Sequence, residues 1–317
     1  MKYRRYVLLG VVGLSILGLG YAWAAMVGVN NAQTVSESAQ HPLLARRVFA
    51  DNPNDTIINF TSLRAALRER FGTETEPFSF YFEYLPTGTT IRINGESELI
   101  AASLVKLPLV MDLYHAVELG RIHLGDTAQL TADDLDASFG DLYKKGAGGS
   151  LTLQEAANLA LTQSDNTAAR LINRLTRGML AANEQSLPAL DIDHDTTKTG
   201  DAVISSRGYS SILKCLYLSC YLKPDSSQAI LALMSKTAFT GRITKYTPKD
   251  VTVAHKIGVF NPANVHSDCG IFYVPKRPYL LCVMMQGDDA MVSQKMADTS
   301  KQIYDWVTSY SSVSTAR

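Results

Sequence analysis

The chain has 317 residues, 46% of them hydrophobic and 19% charged, and its thirty basic and thirty acidic residues cancel to a net charge of zero. This length fits two domains, or one large domain with an appendage, and the composition is that of a globular chain able to bury a sizeable core. The balance excludes a disordered polyelectrolyte and nucleic-acid binding driven by net charge, and four cysteines are too few for a disulfide scaffold.

In chain order, Lys2, Arg4 and Arg5 precede an uncharged run from Tyr6 to Val29. A helix rising about 1.5 Å per residue crosses the hydrocarbon core in about 20 residues, so the run suffices as a transmembrane anchor. The basic flank over 1–5 is expected to stay in the cytoplasm, with Tyr21 and Trp23 at the outer interface and the rest of the chain outside. Ala22-Trp23-Ala24 also fits a signal-peptide cleavage site, which gives a secreted protein as the alternative. Both readings export the remainder, and the apolar run continuing past the site favours the uncleaved anchor over 6–29. Polar residues over 30–56 form a linker, with a short helix around Leu43–Phe49.

The exported part, 57–317, begins with a helix over Ile57–Phe71, on which Leu63, Leu67 and Phe71 recur at helical spacing. Phe78, Phe80, Phe82 and Tyr84 alternate with Ser79, Tyr81 and Glu83, predicting a half-buried strand that turns at Pro86-Thr87-Gly88 into a second over Thr89–Ile93. From Leu104 to Arg177 the period is helical, and Thr152-Leu153-Gln154-Glu155 is a capping box opening a helix to Leu161. Val203–Leu222 is helical again. Val251–Phe260, Cys269–Val274 and Tyr279–Gln286 read as strands, and a last helix carries Val292, Met296, Ile303, Trp306 and Tyr310 on one face. The order predicts an α+β fold with a largely antiparallel sheet built from 57–102 and 245–317 and flanked by helices, and an all-α insertion domain, the mainly helical part over 103–244.

Three short patterns carry chemistry. Ser103 and Lys106 stand three residues apart at a helix start, so they share a face, and an amine of lowered pKa can take the serine proton. Alone the pattern means little, since serine and lysine at this spacing arise about once by chance in such a chain. A second match, Ser211 with Lys214, reads as a plain amphipathic helix. Ser164-Asp165-Asn166 follows the capped helix and is by itself also a good N-cap. Lys256 and Gly258 follow the alternating Val251-Thr252-Val253, whereas Lys198-Thr199-Gly200 lies in a polar loop without a strand before it.

Together and in this order, Ser103-x-x-Lys106, Ser164-Asp165-Asn166 and Lys256-x-Gly258 resemble the penicillin-recognising serine enzymes, above all the class A β-lactamases. The similarity runs from about Thr61 to Tyr310. It implies the β-lactamase/transpeptidase fold, with Ser103 as the nucleophile of an acyl-enzyme and Lys106 as its base or proton relay. Ser164 would pass a proton to the leaving nitrogen, and Asn166 would hold Lys106 and the acyl amide. Lys256 would attract the substrate carboxylate, and the N–H groups of Ser103 and Val259 would form the oxyanion hole.

Two departures stand out. Ile257 occupies the place of a hydroxyl residue that the family uses to grip the substrate carboxylate. The loop glutamate with which class A β-lactamases activate the deacylating water has no counterpart. Glu184 is the only glutamate between Arg177 and Ser205, where it reads as a solvated helix-end charge, and Asp191, Asp193, Asp195 and Asp201 are unsupported candidates. Without that base the acyl-enzyme from a β-lactam should persist, as in penicillin-binding D,D-peptidases and sensors.

Asp193-His194-Asp195 reads as a solvated loop, and without H-E-x-x-H or paired C-x-x-C spacing no metal or other cofactor is expected. Gly146-Ala147-Gly148-Gly149 is a loop, and His266 and Asp268 are expected to enter a strand and shape the rim opposite the Lys256 strand. Cys269 and Cys282 are expected to face one another across the last hairpin as buried thiols, while Cys215 and Cys220, on one helix, are not expected to pair. The expected function is thus a membrane-anchored extracytoplasmic serine hydrolase acting on β-lactams or D-alanyl amides. The alternatives are a non-catalytic or slowly turning over module binding β-lactams or peptidoglycan fragments, and an adhesion or scaffold domain reusing the fold. The sequence assigns no oligomeric state.

Overall fold

The computed structural model describes residues 58–192 and 200–309. The expected anchor, the linker with its short helix, the Asp193-His194-Asp195 triplet, Lys198, Thr199 and Tyr310 lie outside the described residues. Among the described residues no helix is long and apolar enough to cross a membrane.

The amino-terminal part comprises α1 (Thr61–Phe71), β1 (Phe78–Tyr84), β2 (Thr89–Ile93) and β3 (Glu98–Ile100). A 3₁₀ turn over Ala102–Val105 leads into α2 (Lys106–Glu118), followed by β4 (Thr127–Gln129), β5 (Ser150–Thr152), α3 (Leu153–Thr162), α4 (Asn166–Arg177) and the single turn α5 (Ser186–Ala189). β6 (Val203–Ser205), α6 (Ser206–Leu218) and α7 (Pro224–Met234) close the helical part. β7 (Val253–Phe260), β8 (Val265–Phe272), β9 (Tyr279–Gln286) and α8 (Asp289–Ser309) return to the sheet.

The main sheet has the order β2-β1-β9-β8-β7, antiparallel throughout, so β1 from one chain end pairs with β9 from the other. One face packs on α1 and α8 through Leu63, Leu67, Phe71, Phe80, Phe82, Met296 and Ile303. The other face joins the helical part in a single apolar cluster that includes Leu107, Leu161, Ile212, Leu280 and Met284. Burial of both faces is what makes this sheet the centre of the molecule.

Several expectations are corrected. β1 is buried on both faces rather than one, because it lies inside the sheet between β2 and β9 and is covered by helices on each side. Its polar residues are paired: Ser79 Oγ donates to Asn94 O, and the Glu83 carboxylate accepts from Tyr81 Oη at 2.7 Å and Lys214 Nζ at 2.5 Å. The insertion is not purely helical, since β4 and β5 pair within it. The stretch read as helix from Val203 begins as β6, paired with β3, and only then becomes α6, with Ser205 capping Gly208 N–H at 3.0 Å. α1 starts at Thr61, whose N–H is taken by the Asn59 side chain at 2.9 Å. β8 begins at Val265 because its pairing with β7 starts at Phe260.

The cysteines differ most from expectation. Cys269 and Cys282 do face each other across β8 and β9, but as a disulfide rather than as thiols. Cys215 and Cys220 also form a disulfide. The reason is that α6 stops at Leu218 and Ser219 turns left-handed with φ 53°, so Cys220 folds back beside the last helical turn. A continuous helix would have pointed the two apart.

Candidate active site

The site is assembled where the helical part meets the edge strand β7. Ala102, the first residue of the 3₁₀ turn, adopts a left-handed φ of 47°, which turns the chain at Ser103 out of the β3 direction and into the cleft. Lys106, the first residue of α2, shares a face with Ser103, and its Nζ lies 2.9 Å from Ser103 Oγ. Ser103 is half-buried and Lys106 buried.

Ser164 joins them from the turn between α3 and α4. Its φ of 58° lets both its carbonyl oxygen and its hydroxyl face Lys106 Nζ, the hydroxyl at 3.0 Å. Asn166 Oδ1 accepts from Lys106 at 2.6 Å. Asp165 is the N-cap of α4: Oδ1 accepts from Ala168 N–H and Oδ2 from Leu142 N–H, both at 2.9 Å. Capping and chemistry are therefore compatible uses of the same tripeptide. A side chain at Gly140 would collide with Asp165, its Cβ falling 2.1 Å from Oδ2, so this glycine gives the cap its room.

Lys256 completes the group from β7, fully buried, donating to Ser164 Oγ at 2.9 Å and to the Ile257 carbonyl at 3.1 Å. Ser164 Oγ thus stands between two lysine nitrogens. Burial pushes the Lys106 pKa down to about 8, against smaller opposing pulls from Asp165 and Asp136. Burial, and next the nearby Lys106, push Lys256 well below the ordinary lysine range. Two of the oxygens around Lys106, the Ser164 carbonyl and Asn166 Oδ1, can only accept. A neutral amine satisfies both with its two N–H bonds and leaves its single lone pair to accept from one serine hydroxyl, that of Ser103 at 2.9 Å when it acts as base.

Gly258 and Val259 lie beside the Ser103 turn. A Cβ at Gly258 would fall 2.9 Å from Ala101 O and 3.3 Å from Leu104 Cγ, so only glycine lets β7 approach this closely. The Ile257 carbonyl faces Lys256 Nζ, off the open edge of the sheet. Backbone groups two residues apart in a strand point the same way, so Val259 N–H points off that edge too. Ile257 itself is buried.

The structure adds residues that no local pattern marked. Ser138 Oγ accepts from Asn166 Nδ2 at 2.7 Å. Phe139 lies 5.9 Å from Lys106 Nζ and packs at 5.9 Å against Phe239 from beyond α7. Behind β7, the buried Asp268 lies 2.7 Å from His255 Nδ1, and buried Arg242 and His266 are hydrogen-bonded at 3.1 Å. His266 and Asp268 are thus buried supports within β8. Glu184 is held elsewhere: Arg121 grips its two oxygens at 2.7 and 2.8 Å, and it caps Ala181 N–H. Asp191 is exposed in a turn, Asp193 and Asp195 lie outside the described residues, and Ser211 Oγ bonds the Arg207 carbonyl on α6. No group of three or more potential metal ligands occurs among the described residues.

The fold is shared with solved structures. PBP-A superposes with a TM-score of 0.72 at 22% identity, covering 80% of this chain and 99% of that one. A β-lactamase from Sphaerobacter thermophilus gives 0.71 at 24%, with coverage of 80% and 100%. An ancestral class A β-lactamase gives 0.67 at 19%, with coverage of 77% and 99%. A single-residue mutant of PBP-A, similar at 22% identity and 0.72 over 79% of this chain and 97% of that one, is an acyl-enzyme complex with penicillin G. No curated protein matches the sequence. The sequence model of the beta-lactamase enzyme family, however, matches residues 62–307, which span both sides of the cleft and every residue placed in it above. The chain therefore belongs to the beta-lactamase enzyme family and is a serine hydrolase of that family.

Proposed function

We propose that the chain is an exported, membrane-anchored enzyme that forms an acyl-enzyme through Ser103 with β-lactams or D-alanyl amides, the β-lactam adduct being long-lived. The observation that carries this reading is the 2.9 Å approach of Lys106 Nζ to Ser103 Oγ, with the amine's N–H bonds directed at two obligate acceptors. Ser103 Oγ attacks the amide carbon while its proton passes to Lys106 Nζ. As the C–N bond breaks, the leaving nitrogen takes a proton from Ser164 Oγ, which is resupplied from Lys106. Asn166 orients Lys106, Lys256 supplies positive charge for the substrate carboxylate, and the N–H groups of Ser103 and Val259 receive the developing oxyanion. One such donor is worth on the order of 3 kcal/mol in the transition state.

Slow deacylation is supported by the engagement of Glu184 with Arg121 and the Ala181 backbone, which leaves this carboxylate occupied away from the cleft. Export is supported by the basic flank and apolar run of the sequence and by two disulfides, which persist in oxidising compartments. The test is to incubate the detergent-solubilised full chain with a fluorescent penicillin and follow the adduct by intact mass. A label lasting hours and abolished by Ser103→Ala is expected. Loss of the label within seconds would make the chain an efficient β-lactamase with a deacylating base elsewhere. A folded protein that takes no label would leave the binding module.

A further inference from the structure

Arg242 lies between α7 and β7, and its side chain is only 9% exposed. A guanidinium carries five N–H donors in a rigid fork and cannot accept. Here it makes five contacts. Nε donates to Ser293 Oγ at 3.1 Å; Nη1 donates to the carbonyl oxygens of Gly258 at 3.2 Å and Ser267 at 3.1 Å; Nη2 donates to His266 Nδ1 at 3.1 Å and Asp289 Oδ1 at 3.0 Å. Because arginine only donates, His266 accepts through Nδ1, as a neutral ring does, and burial followed by the guanidinium charge lowers its pKa. The adjacent backbone is tied down as well, Ile243 N–H donating to the buried Asp268 Oδ2 at 3.2 Å. A cation near a substrate cleft would serve naturally as an anchor for a carboxylate, but this one has its donors engaged within the protein.

The contact with the Gly258 carbonyl has a chemical consequence. A trans peptide is planar, so its C=O and N–H point in opposite directions, and the N–H opposite the Gly258 carbonyl is that of Val259. A charge-assisted bond to the carbonyl fixes the plane of that peptide and, by polarising it, strengthens its N–H as a donor. We infer that Arg242 is a positioning residue for acylation. It pins and polarises the Gly258–Val259 peptide from behind, setting the direction and donor strength of Val259 N–H towards the oxyanion without contacting the substrate. The inference rests on the acyl-enzyme reading above.

The test uses the full chain carrying Arg242→Gln or Arg242→Lys, with two substrates: a penicillin isotope-labelled at the β-lactam carbonyl, and an activated aryl ester that carries no carboxylate. For Arg242→Gln the acylation rate constant should fall about 10- to 100-fold with both substrates. The apparent dissociation constant should stay within about threefold. The ester carbonyl band of the acyl-enzyme in infrared difference spectra should move to higher frequency, as weaker oxyanion hydrogen bonds require. Arg242→Lys, which keeps charge but loses the fork, should fall between. A loss confined to the carboxylate-bearing substrate, with the band unmoved, would make Arg242 a substrate ligand and overturn the inference. So would a lower melting temperature with normal acylation, which would make it a strut. If the glutamine variant does not fold, Asp289→Asn loosens the guanidinium from its outer side; a smaller band shift in the same direction supports the inference, and an unmoved band overturns it. Wild-type protein that is never acylated at Ser103 would remove the acyl-enzyme reading along with it, whereas normal wild-type acylation with no Arg242 effect removes this inference alone.

Discussion

Four oxygen atoms surround Lys106 Nζ, and the two that cannot donate hold its N–H bonds while the hydroxyls of Ser103 and Ser164 face what remains. This arrangement works as a base only when the amine is free, and burial brings its pKa to about 8. Below that value the amine is protonated and cannot take the serine proton, so acylation is lost as pH falls and regained as it rises. The rate of penicillin acylation should climb about tenfold per pH unit well below 8 and level off above it, as stopped-flow labelling across pH can establish. Replacing Lys106 with Met should slow acylation by about 10²- to 10⁴-fold and remove this inflection. A profile unchanged by the replacement would assign the base to another group.

At the level of elements, the decisive contact is between the edge strand β7 and the 3₁₀ turn. Gly258 faces the Ala101 carbonyl and Leu104, so Gly258→Ala must push β7 and the Ser103 turn apart by a few tenths of an ångström. Neighbouring pairings would still hold the sheet together, while Ser103 and Val259 N–H lose their mutual placement. Acylation should fall about 100-fold, with a melting temperature that changes little. A large fall in melting temperature with normal acylation would contradict this. The disulfides make a second prediction at this scale. Cys269 and Cys282 close a loop with a separation of 13 residues, against 5 for Cys215 and Cys220. By loop-closure entropy, removing the first pair should cost about 3 kcal/mol and the second about 2 kcal/mol, readable by chemical denaturation. The reverse order would point to strain or packing instead.

For the whole molecule, the two parts share one continuous apolar cluster, and the site spans their junction: Ser164 comes from the helical part and Lys256 from the sheet. Two lysines buried so close together carry a stability penalty while they are protonated. Their folded pKa values lie below the ordinary 10.5, so between about 8 and 10 the unfolded chain binds more protons than the folded one. Stability should therefore rise with pH across that window. Above about 10 the trend should reverse, because burial raises Tyr84 and Tyr217 to about 12 and only the unfolded chain then releases those protons. Melting temperatures from pH 7 to 11 would show this maximum, and Lys106→Met should flatten its rising limb. A monotonic fall with pH would contradict the buried-lysine account.

Much of the fold was legible from periodicity, because a strand or helix must turn its apolar positions towards something, and that requirement is local. The alternation around Phe80, the helical stripe of Leu63, Leu67 and Phe71, and the capping box at Thr152 each specify an element without reference to the rest of the chain. The sequence patterns, through their joint resemblance to the penicillin-recognising serine enzymes, also named Ser103, Lys106, Ser164, Asn166, Lys256 and Gly258 as one group. What periodicity does not encode is which faces meet. Only the packing of helices against both faces of the sheet covers β1 on both sides, and a left-handed turn at Ser219 decides that Cys215 reaches Cys220. Only packing brings Lys256 to Ser164, 92 residues away, and turns Arg242 onto the carbonyl behind Val259. Local spacing by itself determined most of the longer elements, and the combined motifs named the chemical groups; the distances and the shared burial that shift the lysine pKa values arise when separate faces of the chain exclude water together, and tertiary structure alone decides that.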